Sequence, residues 1–121
     1  MPGGGRKVLI VDDEPAALAA LLDVLGAFDV SCVGASGGAE ALRLFDEDAF
    51  GLVITDVRMP GMSGLDLLMH LKDKAPDLPV VLISGYNLEP SELENATARA
   101  DQHIKKPYHV SDIVNVLRRF L

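Results

Sequence analysis

The chain has 121 residues, 49% of them hydrophobic and 24% charged, proportions that fit one domain around one continuous core and leave no room for a second. Its formal charge is −7, from 18 acidic against 11 basic side chains. That balance argues against nucleic-acid binding, which relies on cationic contacts to phosphate, and suits a basic partner, a divalent cation or solubility alone.

Residues 1–6, Met-Pro-Gly-Gly-Gly-Arg, read as a flexible N-terminus. They lack the apolar core of a secretion signal, and no apolar run of the chain is long enough to span a bilayer, so a cytoplasmic protein is expected. Residues 7–11 form a short, mostly β-branched apolar run, the pattern of a strand buried on both faces. A helix rich in Ala and Leu is expected over 15–25, with Gly26 as its stop. A second strand is expected over 30–33. It carries the lone cysteine, Cys32, which reads as a buried thiol in a reducing compartment. A helix follows over 38–45, with Ala41, Leu42 and Phe45 at helical spacing, and then a third buried strand over 52–55. After a loop over 59–64, a helix over 65–74 presents Leu67, Leu68 and Leu71. The fourth strand is expected over 79–84 and the fifth over 102–105. Between them lies a weaker helix over 89–98, opening with Pro90 in its first turn. The last helix, 111–120, would be capped by Ser111 and turn Ile113, Val116, Leu117 and Phe120 inward.

Strict alternation of five strands and five helices implies a doubly wound α/β fold: a parallel sheet with right-handed crossovers and helices on both faces. With five strands, the flavodoxin-like order 2-1-3-4-5 is favoured, and ligands in such sheets sit at the carboxyl ends of the strands. Function must then be argued from the site. Asp12, Asp13 and Glu14 follow the first strand, Asp56 the third, Ser84 ends the fourth, and Lys106 follows the fifth. Clustered carboxylates repel unless a cation joins them. Oxygen ligands suit Mg²⁺, which binds through one or two carboxylates plus phosphate oxygens. A carboxylate can also attack phosphorus, while Lys106 supplies positive charge and Ser84 a hydroxyl donor. Each residue alone would pass as a helix cap, a turn residue or a solvated lysine; their combination at four strand ends is what signals phosphoryl transfer.

These residues resemble the receiver domains of bacterial two-component response regulators, the CheY-like superfamily. The resemblance is carried by Val-Leu-Ile-Val-Asp-Asp-Glu at 8–14, Asp-Val-Arg-Met-Pro-Gly-Met-Ser-Gly at 56–64, Val-Leu-Ile-Ser-Gly at 81–85 and Lys-Lys-Pro-Tyr at 105–108. It extends over 7–121. It implies that Asp56 accepts the phosphoryl group as a 4-aspartylphosphate, and that Asp13 and Asp56 ligate Mg²⁺, with Asp12 acting directly or through water. The backbone carbonyl of Arg58 would be a further ligand. Ser84 would take the place of the hydroxyl residue that moves to the phosphoryl group, and Lys106 that of the lysine bonded to it. The Lys106–Pro107 peptide is commonly cis in the family. The donor would be a phosphohistidine on a sensor histidine kinase or phosphotransfer protein. The result would be a switched protein-binding surface with slow self-hydrolysis, and no turnover of an external substrate.

Several positions depart from the common pattern. His103 stands where an aromatic switch residue is usual, and a histidine there can titrate near neutral pH. Arg99 replaces a frequent helix-ending glycine. Arg58 and Tyr86 occupy variable positions beside the site and are expected to shield it and prolong the phosphorylated state. Met59, Met62 and Met69 read as loop and core packing, and His70 and His109 as surface residues.

Rival readings fit less well. A phosphohydrolase of the haloacid dehalogenase type needs a second acid two residues after the nucleophile, where Arg58 stands. A flavin module wants a hydroxyl-rich loop after the first strand, and Asp12-Asp13-Glu14 has the wrong charge. A degenerate receiver serving only protein contact would not need the acidic residues, serine and lysine intact. Relatives dimerise or dock partners through the surface of the fourth helix, fifth strand and fifth helix. The chain ends just after the last helix with no output domain, as either a stand-alone regulator or a piece of a longer one.

Overall fold

The computed structural model describes residues 7–85, 89–91, 94 and 99–121. Five parallel strands form one sheet: β1 (Lys7–Val11), β2 (Cys32–Ala35), β3 (Phe50–Asp56), β4 (Val80–Ser84) and β5 (Gln102–Lys105), in the order β2-β1-β3-β4-β5. Among the described residues there are four helices, α1 (Pro15–Ala27), α2 (Gly38–Glu47), α3 (Gly64–Lys74) and α4 (Val110–Phe120). The doubly wound architecture and strand order are those expected. The helix expected over 89–98 falls largely outside the described residues, as do the N-terminus over 1–6 and Tyr86. Pro90, Ser91 and Glu94, described within that stretch, are helical, and so is Arg99, which is exposed.

Burial on both faces explains the apolar strands. Leu9, Val11, Val53 and Leu82 point to one side, into a core completed by Ala41 of α2 and Leu67, Leu68 and Leu71 of α3. Val8, Ile10, Leu52, Ile54, Val81, Ile83 and Ile104 point to the other, against Leu21 and Leu25 of α1 and Ile113, Val116 and Leu117 of α4. Alternate residues of one strand thus feed two cores, as the pleat requires.

Several element ends differ from expectation: β3 runs over Phe50–Asp56 rather than 52–55, and α2 ends at Glu47 rather than at 45. Helix α1 runs through Gly26 to Ala27, and the chain reverses at Asp29, whose φ is 59°. Phe28 and Val30 N–H both donate to the Leu25 carbonyl, so the helix end is closed three residues later than the glycine suggests. Strand β2 starts at Cys32, two residues late, because Val30 is spent on that closure. Helix α4 starts at Val110 with His109, not Ser111, as its cap residue. The carboxylate of Asp112, three residues on, accepts from the His109 N–H at 2.8 Å, which satisfies the turn without the serine. Cys32 is half-buried rather than buried, and burial pushes its thiol pKa up. Met69 is 44% exposed on the outer side of α3, so it packs in neither loop nor core.

Candidate functional site at the carboxyl edge

Register sets the site. Val11 pairs with Thr55, so Asp12 and Asp56, each at the next position, lie level on adjacent strands. Ser84 pairs with Lys105, which carries Lys106 past the edge of β5. One carboxylate oxygen from each of Asp12, Asp13 and Asp56 falls within 4.8 Å of the others. Lys106 Nζ lies 3.4 Å from Asp56 Oδ2 and 3.9 Å from Asp12 Oδ2. Residues up to 94 positions apart in sequence therefore meet in one cleft, as the reading of strand ends requires.

The Asp12 and Asp56 carboxylates are oriented by the backbone. Asp12, 3% exposed, accepts from the Glu14 N–H on Oδ1 at 3.0 Å, and this leaves Oδ2 toward the lysine. Asp56 accepts from the Val57 N–H on Oδ1 at 2.9 Å. Asp13 is exposed at the mouth. Glu14, which a capping role would have oriented inward, makes no side-chain cap on α1. Burial raises the Asp56 pKa, Lys106 opposes that rise and Asp12 adds to it. Three carboxylates against one ammonium leave the cleft short of positive charge, which is the condition that recruits a cation.

The donor set fits Mg²⁺. All three side chains offer hard oxygens. With one oxygen from each within 4.8 Å of the others, Asp12, Asp13 and Asp56 would hold such an ion between them, directly or through water, and it would neutralise their charge.

The loop after β3 shows why the motif ends in glycine. A Cβ on Gly64 would sit 2.1 Å from the Asp56 carbonyl oxygen and 2.8 Å from Val57 Cα. The Gly64 N–H also donates to the Val57 carbonyl at 2.8 Å. This packing of α3 onto the backbone of Asp56 itself is not predictable from the spacing of the motif. Ser63 caps α3, exchanging hydrogen bonds with Asp66.

Ser84, 1% exposed, is hydrogen-bonded through Oγ to His103 Nε2 at 2.5 Å. Burial lowers the His103 pKa, and Lys105 lowers it further. The two positions named from sequence as switch residues are thus in direct contact, a link that follows from β4–β5 register and not from either residue alone. The Ser84 carbonyl accepts from the Lys106 N–H at 2.7 Å, and the Lys106–Pro107 peptide is cis, as the resemblance implied. The Arg58 side chain is exposed beside the cleft, and His70 and His109 are exposed.

Fold and site together define a doubly wound α/β protein with an acidic, lysine-bearing cleft at a topological switch point. A family model for the response regulator receiver domain matches residues 8–118. Among curated proteins, the chain is 34% identical over 93% of its length to response regulator protein FleR of Pseudomonas aeruginosa, covering 24% of that protein. It is 32% identical over 94% of its length to the probable transcriptional regulatory protein TcrX of Mycobacterium tuberculosis, covering 49%. The chain thus spans half or less of these relatives. The crystal structure of response regulator protein TrrA from Thermotoga maritima in complex with Mg²⁺-BeF superposes with a TM-score of 0.86 at 30% identity, covering 96% of this chain and 99% of that one. The chain belongs to the response regulator receiver family and is a receiver domain of two-component signalling.

Proposed function

We propose that residues 7–121 form one receiver domain that takes up a phosphoryl group on Asp56 from a phosphohistidine of a sensor kinase or phosphotransfer protein in the cytoplasm. The carrying observation is the meeting of Asp12, Asp13 and Asp56 oxygens within 4.8 Å, with Lys106 Nζ 3.4 Å from Asp56. An Asp56 oxygen forms the new O–P bond as the P–N bond of the donor breaks, and the donor imidazole leaves. Asp13 and Asp56, with Asp12 directly or through water and the Arg58 carbonyl, would hold Mg²⁺. The ion supplies charge neutralisation on the transferred group. Lys106 pairs with a phosphoryl oxygen, trading its present position between two carboxylates for a stronger charge. No second acid follows Asp56 to activate water, since Arg58 stands two residues on, so turnover of an external substrate is not part of the reading.

Ser84 and His103 give the switch. The Ser84 hydroxyl, hydrogen-bonded to His103, turns to donate to the phosphoryl group, and His103 responds to that change. The signal then passes to a downstream protein or output domain, or to a second copy of the chain, through residues 89–98, β5 and α4. No helix among the described residues is long and apolar enough to cross a membrane.

Incubation with Mg²⁺ and a small acyl phosphate, read by intact mass, tests the proposal. One phosphoryl group should add to the wild type and none to Asp56→Asn or to wild type in chelator. Phosphorylation of Asp56→Asn to the same extent would refute it.

A further inference from the structure

The loop over 57–64, which follows Asp56, is held at three places. At its base the Gly64 N–H bonds to the Val57 carbonyl at 2.8 Å. Within it, Val57 and Met59 are buried. At its outer turn Met62 packs against the core and onto the first residue of α2, Gly38. A Cβ on Gly38 would lie 2.7 Å from Met62 Sδ and 2.9 Å from both its Cβ and Cγ. Separations below 3.0 Å force something to shift, and Met62 Cβ is not the mobile end of that side chain. Two bonds fix the start of α2: Ser36 N–H to Glu40 Oε1 at 2.8 Å, and Ala41 N–H to the Gly37 carbonyl at 3.0 Å. The loop is therefore the part that gives. Neighbouring Gly37 is different, for a Cβ there meets nothing within 4 Å.

We propose that Gly38 is a positioning residue for cation capture: its bare Cα leaves room for Met62, so that the loop whose Arg58 backbone carbonyl would be a metal ligand is not pushed off the site. The inference rests on the reading that Asp13, Asp56 and the Arg58 carbonyl hold the divalent ion. Gly38 touches neither ion nor phosphate; it acts through Met62 alone.

The test is calorimetric titration of Mg²⁺ into the full chain, as wild type, Gly37→Ala, Gly38→Ala and Gly38→Ala/Met62→Gly. The double variant lacks all three contacting atoms of Met62. Thermal unfolding of each variant is recorded without divalent ions. Gly38→Ala should weaken Mg²⁺ binding about 10-fold, the lower end for outer partners of metal ligands. Gly37→Ala should stay within about 2-fold of wild type, and the double variant should recover most of the loss. A merely structural role would lower the unfolding temperature and leave the affinity of the folded protein alone, and that result overturns the proposal. A folded double variant that binds no better than Gly38→Ala overturns it too. Should Gly38→Ala not fold, the double variant decides: near-wild-type affinity supports the seat, and a loss of about 10-fold or more refutes it. A wild type that takes up no Mg²⁺ removes the cation reading itself, and the proposal with it, whatever the variants do.

Discussion

Gly64→Ala is the substitution whose consequence can be worked most directly from distances. The added methyl would stand 2.1 Å from the Asp56 carbonyl oxygen, and ordinary contact begins at 3.4 Å, so α3 and the end of β3 must part by about 1.3 Å. Neither side yields easily: Leu67, Leu68 and Leu71 anchor α3 in the core, and Asp56 is paired in the sheet with Ile83. Overpacking of this kind costs about 1–3 kcal/mol, which lowers the unfolding temperature by roughly 4 °C per kcal/mol in a domain of this size. The displaced group is the nucleophile's own backbone. A misplacement of about 1 Å costs on the order of 10²-fold in rate, so phosphorylation by a small acyl phosphate should slow by about that factor in the folded fraction. The assay follows intact mass against time at fixed Mg²⁺, at a temperature well below unfolding, beside circular dichroism. Gly26→Ala is the control: a Cβ there meets nothing within 4 Å, and its helical site should gain up to about 1 kcal/mol with no change in rate. A Gly64→Ala protein that phosphorylates at the wild-type rate would refute the claim that this contact sets the nucleophile's position.

Asp56→Asn should raise the unfolding temperature in the absence of divalent ions. The native carboxyl has a pKa above the ordinary 3.8, chiefly through burial, so native stability falls as pH rises from 3.8 through the raised value and the deficit persists above it. Wild type, unlike the variant, should make up that deficit on addition of Mg²⁺. The His103 pKa lies below 6.5, so the stability it contributes is present above pH 6.5 and lost as pH falls through the lowered value. His103→Gln should flatten denaturation midpoints across that window, and an unchanged slope would contradict the assignment. Lys72, with its side chain 10% exposed, donates to the Leu78 carbonyl and to Asp101, whose carboxylate also accepts from the Val80 N–H. Lys72→Met should cost about 2 kcal/mol by stranding these acceptors, measured by urea denaturation.

The strands and the site were legible for the same physical reason. Strands buried on both faces must be apolar along most of their length, so Asp12 and Asp56 mark the points where β1 and β3 leave the core, whereas Lys106 follows a polar, half-buried edge strand and is legible only through its motif. What stayed hidden depends on tertiary contact. Gly26 reads as a helix stop, yet Leu25 must be buried and the closing bonds fall on its carbonyl, so α1 continues past it. Ser111 is a good cap by type, but Asp112 reaching back to His109 N–H is the turn that forms. The Ser84–His103 bond and the seat of Met62 on Gly38 join separate elements, and no local pattern announces them.

The measurement that bears most directly on the central claim is a crystal structure of the chain soaked with Mg²⁺ and beryllofluoride, the phosphoryl mimic. The account predicts the mimic on an Asp56 oxygen, the ion held by Asp13, Asp56 and the Arg58 carbonyl, and Lys106 Nζ bonded to a fluoride. The mimic bound elsewhere, or an ion settled away from these three ligands, would contradict it.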